Sequence, residues 1–445
     1  MKINFPKFVS SDNELNITYN YRWEVYQKHV KETPVGWVVT EFLPNVGWAG
    51  IYNTINCPAM HHFRDGRWLH EKEVLSDYAK FWCTVGNPRL YSFPLVDSVC
   101  QYEKVTGDKS VGDEMYSNLV KLHYDWDDHK MPNGMFTQLC DRDGMEFSIS
   151  GDGLRTTINS YMYADKLALA EIAKRNGNDE AAEGFEKEAQ ELRDKINDNL
   201  WNEDIGMYVT MSEKGEIRNV RELVGYIPWI YNIPTEGRDN CFVNLLDEKC
   251  FLARYGLRSA DASHPEYNKP FNHECLWNGP VWPFATSQTL TAVIEYLNDG
   301  KDSHVITADD FMKLLLQYAY SQRDEDGTPW IDENMDPDRG IWLAREILRS
   351  KNRADADRGQ HYNHSSFIDL VMSGVCGIRP ADGNVLVVRP LGTMLDSFKA
   401  EEIHYHSHVI DVCWEKTSGL TVTVDGDKSY FCAAGDDVKL EIVLE

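Results

Sequence analysis

Basic residues are scarce: 45 Lys and Arg stand against 71 Asp and Glu, a formal net charge of -26. Such a surface repels phosphate backbones and anionic lipid, so neither nucleic acid nor a membrane surface is an expected partner. Long apolar runs are missing as well. No stretch approaches the about 20 residues of a bilayer span, and the N-terminus MKINFPKFVSSDNELNITYN has no apolar segment of signal-peptide length. A cytoplasmic chain is therefore expected, unless a leader has been removed. The ten cysteines show no Cys-x-x-C spacing, which disfavours a zinc knuckle and a dense disulfide framework and leaves free thiols. A Gly-rich phosphate loop ending in Lys-Ser/Thr and a Gly-x-Ser-x-Gly elbow are both missing, so nucleotide hydrolysis and esterase chemistry have no anchor.

No Pro/Gly/Ser-rich or single-charge block divides the 445 residues, 42% of which are hydrophobic. One large domain with a smaller appendage is the expected organisation. Helical periodicity dominates to about residue 375. From 158 to 173, Tyr161, Ala164, Leu167, Ala168 and Ile172 share one face, and from 179 to 200, Ala182, Phe185, Ala189, Leu192 and Ile196 form a stripe. The link RNGND between them, with Gly177 as a C-cap, predicts an antiparallel hairpin. Further helices are expected at 73–86, 94–106, 109–127, 220–232, 237–247, 281–298, 304–322, 339–351 and 363–374, with a weaker one within 12–31. Twelve helices in antiparallel pairs, separated by aromatic- and Gly-rich loops, suit a mainly-α fold, an (α/α)6 toroid. It would occupy residues 1–383. Beyond 383 the period becomes two, at 419–426 and 437–445, with Asp425-Gly426 as a hairpin turn. A small C-terminal antiparallel β module over 384–445 follows.

Several loops carry candidate chemistry. DRDGMEFSISGDGLRTT, 141–157, places Glu146, Asp152 and Arg155 among glycines before a strong helix, so a carboxyl there could act as a general acid beside a substrate-binding Arg155. The bland alternative is a capping turn. PWIDENMDPDRG, 329–340, places Glu333 among apolar neighbours. HECLWNGPVWP, 273–283, combines Trp277, Asn278, Gly279 and Trp282, flat apolar faces beside hydrogen-bonding groups, which is what a sugar ring requires. Two polar tracts add Trp48, His61, His62, Arg64, Asp65 and Trp68, and then His361, Asn363 and His364. The His pair lacks the spacing of the helix-borne zinc motifs, so hydrogen-bonding histidines are expected and no metal. No cofactor is implied.

Taken in order, the carboxylate loop, the helix INSYMY (158–163) with Asn159, the Trp-x-Gly-Pro-x-Trp segment and the late Glu loop resemble the α/α-toroid glycosidases. That group includes processing α-glucosidase, mannosylglycerate hydrolase and trehalase, and the resemblance is nearest to the bacterial mannosylglycerate-hydrolase-like catalytic domains, over roughly 20–380. The group's late loop reads Glu-x-x-Asn-Pro-x-x-Gly, with its Glu as general base; Glu333, Asp336, Pro337 and Gly340 keep that spacing, with Asp for Asn. Its Trp-Arg-Gly-Pro-x-Trp becomes Trp277, Asn278, Gly279, Pro280, Val281 and Trp282, with Asn for Arg. The group's acid is the Asp of Glu-Ser-Gly-x-Asp; this chain has Ser150, Gly151, Asp152 and Gly153, with the leading Glu displaced to Glu146. The resemblance implies Asp152 as acid, with Glu146 the alternative, and Glu333 as base. Trp48, His61, His62, Arg64, Asp65, Trp68, Arg155, Asn159, Trp277, Asn278, Gly279, Trp282, Asn363 and His364 would bind a carbohydrate substrate.

The function so implied is an inverting, exo-acting hydrolase of α-linked glycosides, in which two carboxyls about 6.5–9.5 Å apart flank the anomeric carbon. Its rivals are a sugar epimerase or isomerase working through His61, His62, His361 or His364 on the same toroid, a phosphorolytic variant, and a carbohydrate-binding protein that catalyses nothing.

Overall fold

The computed structural model describes residues 3–298, 305–435 and 437–445. It is helix-rich, with a small antiparallel sheet module near the C-terminus. In chain order the α-helices are α1 (Asn13–His29), α2 (Ala59–Gly66), α3 (Glu73–Thr84), α4 (Leu95–Thr106), α5 (Ser110–Tyr124), α6 (Thr156–Arg175), α7 (Asp179–Leu200), α8 (Ile227–Ile230), α9 (Pro283–Asn298), α10 (Ala308–Ser321) and α11 (Leu343–Ser350). A π-helical turn spans Leu370–Val375. The first position of the expected 304–322 helix lies outside the described residues.

Local chemistry sets several helix ends. The Asp12 side chain accepts from Leu15 N at 2.8 Å and caps α1. At α10 the Thr307 hydroxyl accepts from Asp310 N while the Asp310 carboxylate accepts from Thr307 N, a reciprocal capping box. All five apolar residues of the α7 stripe are buried, and α6 and α7 pack side by side. On α6, however, Leu167 is 40% exposed, whereas Thr156 to Lys166 are buried without interruption. That helix is covered on nearly every side, so a single-face pattern describes it poorly.

The helix α2 falls within a stretch expected to be loop. All eight of its residues are buried, including His61, His62, Arg64 and Asp65; Ala59, Met60 and Phe63 share one face, but the helix is short and its polar face is buried as well. Two expected helices are reduced: 220–232 to the 3-10 turn Leu223–Tyr226 running into α8, and 237–247 to the 3-10 stretch Asp239–Leu246. The expected 363–374 helix survives mainly as the π-helical turn.

The packing has a definite order. α2 touches α4, α4 touches α6, α6 touches α8, α8 touches α9, and α9 touches the π-helical turn. Asp369, at the start of that turn, accepts from Arg67 Nε and Trp68 Nε1 just beyond α2, at 2.9 and 2.8 Å. α1, α3, α5, α7 and α10 lie against members of this series or against one another.

Besides three two-stranded hairpins, the described strand segments form two larger sheets beside the helices. One has five antiparallel strands in the order Lys7–Ser10, Ser397–Tyr405, His408–Glu415, Gly419–Val424 and Lys428–Ala433. Asp425 and Gly426, at φ 52 and 73, make the last hairpin turn, the left-handed pair such a turn requires. The N-terminal strand thus joins a sheet whose other members come from the far end of the chain. The second sheet pairs Val385–Val388 with Leu440–Val443 and with Ile378–Arg379. Among the described residues no helix is long and apolar enough to cross a membrane.

Candidate active site

A cavity of about 200 Å³ opens among the loops that connect the helices, and four segments far apart in sequence bring carboxyls to it: Glu41, Glu146, Glu274 and Glu333. Glu41 arrives by way of a hairpin, Val30–Thr33 with Gly36–Val39, whose start and end are tied where His29 O accepts from Thr40 N at 3.1 Å. Its carboxyl accepts from the Tyr362 hydroxyl at 2.5 Å.

Glu146 sits on a loop held by a buried ion pair. Asp143 accepts from Arg155 Nε at 2.5 Å, from Ser92 Oγ at 2.6 Å and from the Thr157 hydroxyl. Gly144, at φ 73, turns the chain beside Cys57, where a side chain would strike the Cys57 sulfur. The carbonyl of Glu146 then accepts from Trp277 N at 3.0 Å, which fixes the loop to the tryptophan segment.

Glu333 is placed by a short ladder. Met335 and Val281 exchange both backbone hydrogen bonds at 2.9 Å, Asn334 donates to Glu274 O at 3.0 Å and accepts from Ala344 N at 2.9 Å, and Asp332 accepts from Glu333 N at 2.8 Å. Asp336 accepts from the backbone N–H of Asp338 and Arg339, and Gly340 follows at φ 71. The Asp-Pro-x-x-Gly part of the motif is thus a turn that holds the Glu in place, and Asp fills the accepting role as well as Asn does. Arg358 Nε donates to Glu333 Oε1 at 2.8 Å, and the Cys275 thiol donates to Oε2 at 3.0 Å.

The wall is completed by Trp277 and Trp282, stacked 4.2 Å apart, by Phe284 and His364, and at the rim by Trp48, which is 43% exposed and lies 5.0 Å from the Arg358 guanidinium. Stacked indoles beside carboxyls offer a sugar an apolar face and hydrogen-bond acceptors together. Trp277 Nε1 has no hydrogen-bond partner among the described residues.

Burial dominates the electrostatics. It pushes the Glu146 carboxyl up to about 7, aided by the nearby Glu333 charge. Glu41 is pushed up to about 8, again chiefly by burial, against the Tyr362 hydrogen bond and with help from Glu333 and Glu146. Burial also drives His364 and His61 well below the ordinary imidazole range. Glu41 is therefore largely protonated and Glu146 partly protonated at neutrality, and both share the cavity with the Arg358-anchored Glu333.

Other expected site residues do different work. Asp152 is exposed and outside the cavity; its carboxylate accepts from Cys140 N at 2.7 Å and closes the turn. Of the two expected candidates for the acid, Glu146 lines the cavity and Asp152 does not. Arg155 is spent on Asp143 and on Gly151 O. Asn159 pairs with both backbone groups of Phe136. His62 holds the Tyr78 hydroxyl at 3.0 Å and Asn363 O at 2.7 Å. Asp65 accepts from the backbone of Phe367 and Asp369, while Arg64 and Trp68 converge on Asp369. His61 meets Ser366 Oγ, Asn278 donates to Lys269 O, Gly279 N donates to Ser259 Oγ, and Asn363 donates to Thr40 O. None of these lines the cavity; Trp48, Trp277, Trp282, His364 and Glu333 do.

Glu41, Glu274, Cys275, Arg358 and Tyr362 line it without having been singled out from sequence. Arg358 lies in DADRGQH, an ordinary charged loop by composition, and only the fold brings it 25 positions back to Glu333.

Comparison with known proteins bears on the family and the fold. A structure named as a sialidase is 32% identical over 98% of this chain, with a TM-score of 0.92; this chain spans 41% of that one. The GH63 mannosylglycerate hydrolase of Thermus thermophilus, solved with Tris, is 13% identical, covers 80% of this chain and all of its own (100%), with a TM-score of 0.59. The GH78 rhamnosidase of Bacillus sp. GL1 is 12% identical over 95% of this chain and 42% of its own, with a TM-score of 0.60. The last two likenesses are of fold alone. No curated protein sequence matches the chain significantly. The family model for the mannosylglycerate hydrolase MGH1-like glycoside hydrolase domain matches residues 51–365. The chain belongs to the MGH1-like glycoside hydrolase domain family.

Proposed function

We propose that this protein hydrolyses α-linked glycosides from the non-reducing end with inversion, using Glu146 as general acid and Glu333 as general base. The observation that carries this reading is the pairing, in one cavity, of a carboxyl pushed up to about 7 by burial with a carboxylate anchored by Arg358. Glu146 donates its proton to the glycosidic oxygen as the bond to the anomeric carbon breaks. Glu333 takes a proton from water, whose oxygen bonds to the anomeric carbon from the opposite face. One water is consumed, and each carboxyl resets by exchanging one proton with solvent. At about 200 Å³ the cavity is below the about 300–1,000 Å³ of sites for larger ligands, which favours one terminal sugar ring over a threaded chain.

The order of packing from α2 round to the π-helical turn, joined back to the end of α2 through Asp369, supports an (α/α)6 toroid as the frame of this cavity. An epimerase working through histidines has less support: of His61, His62, His361 and His364, only His364 lines the cavity, and burial keeps it neutral. A panel of nitrophenyl glycosides and α-linked disaccharides, incubated with purified protein and resolved by chromatography, tests the reading. Release of a monosaccharide without added phosphate is expected. Interconversion of free sugars with glycosidic bonds left intact would overturn it.

A further inference from the structure

We infer that the exposed aromatic pair Phe147–Phe271 is the seat of the substrate's leaving group, and that a longer leaving group, the rest of a neutral oligosaccharide, continues into the hollow beyond it. The inference rests on the proposed hydrolysis, because a general acid must stand beside the oxygen that departs, and Phe147 is the residue after Glu146. The Phe147 ring is 40% exposed and the Phe271 ring 46%, yet the two are packed 4.8 Å apart, and Phe147 lies 5.2 Å from His273, which lines the cavity. Phe147 holds this pose at φ 60, a left-handed conformation that is a strained outlier for a bulky residue. A buried core gives no reason for that conformation, since the ring faces solvent.

Beyond the pair lies a second hollow of about 240 Å³, lined by Phe271, Asn268 and Arg339 among others, and Glu274 belongs to both this hollow and the catalytic cavity. The path therefore runs from Glu146 over two aromatic faces to a recess whose mainly apolar wall, with Leu276 and Leu343, carries Asn268, Glu274 and Arg339 as hydrogen-bonding groups. Sugar rings stack on such faces and bond to such rims.

The test uses the sugar that the nitrophenyl panel identifies and compares its nitrophenyl glycoside with its glycosyl fluoride, which carries no aglycone ring. Phe271→Ala and Phe147→Gly should each lower kcat/KM for the aryl glycoside about threefold to tenfold and lower it distinctly less for the fluoride. Glycine suits a left-handed residue, so the Phe147→Gly protein should unfold at a temperature no lower than the unaltered protein. The gain in kcat/KM from disaccharide to trisaccharide of that sugar should shrink in both variants. Equal losses on fluoride and aryl glycoside, or no gain with chain length in the unaltered protein, would overturn the leaving-group assignment while leaving the hydrolysis standing. No turnover of any fluoride or aryl glycoside by the unaltered protein would remove both.

Discussion

The Arg358 guanidinium donates to Glu333 Oε1 at 2.8 Å while its Nη2 reaches Glu274 Oε1 at 3.1 Å. The same side chain therefore orients the proposed base and ties it to the segment that leads to Trp277. Arg358→Lys keeps the charge but loses the fork that holds two carboxylates at once. Its kcat should fall about 10²-fold, since displacement of a reacting group by about 1 Å has that cost. Steady-state kinetics on the best aryl glycoside would check this; an unchanged kcat would show that Glu333 is positioned without Arg358.

Glu333→Gln should remove about 10²- to 10⁴-fold of the rate, the share one general base supplies. Arg358 retains Glu274 and lies 3.6 Å from Asp355, so the variant should fold, with a loss of about 1–3 kcal/mol for the weakened buried pair. Activity and urea denaturation measured on the same preparation test both halves.

Glu146→Gln and Asp152→Asn separate the two candidate acids. The first should be crippled on substrates with poor leaving groups and much less so on dinitrophenyl glycosides, which depart with little protonation. The second should stay within a few-fold of the unaltered enzyme on both, because Asp152 is exposed and serves Cys140 N. The reverse ranking would return the acid to Asp152.

In the unaltered enzyme kcat/KM should decline as pH rises through about 7, as Glu146 loses the proton it must donate. Glu146→Gln should lack that limb. A pH profile unchanged by the substitution would mean that another group sets it.

Glu41 bears on stability. Its folded-state value, about 8, is above its ordinary 4.5, so the unfolded chain releases this proton at lower pH than the native protein does. The contribution is fully present below about 4.5 and is lost as pH rises toward and through about 8. Glu41→Gln, which carries no titrating proton, should therefore be less destabilised than the unaltered protein between pH 6 and 9. Melting temperatures across that range give the answer, and parallel curves would show that Glu41 is not held protonated.

Elements with ordinary amphipathic chemistry were legible in sequence. The α7 stripe and the Asp425-Gly426 turn each rest on local periodicity or a φ preference. α2 was not legible, since its apolar face is only Ala59, Met60 and Phe63, too short a pattern to stand out, and the buried His61, His62, Arg64 and Asp65 read as loop polarity. Glu333 was marked by the Asp-Pro-x-x-Gly turn that holds it. Glu146 was overshadowed because Asp152 directly follows Ser150-Gly151, one position from the place of the group's acid, and only the direction of each side chain, one into the cavity and one onto Cys140 N, separates them. Glu41 and Arg358 carry no local signal at all; both are brought to the site by long-range packing.

The account turns on Glu333 acting on water and not on the sugar itself. Proton NMR of the first minutes of hydrolysis of an α-glycoside, before mutarotation mixes the anomers, reads this directly. A β-sugar as the initial product is the predicted result, because a single displacement inverts the anomeric centre. An α-sugar would contradict it and make the second carboxylate a nucleophile that forms a covalent intermediate.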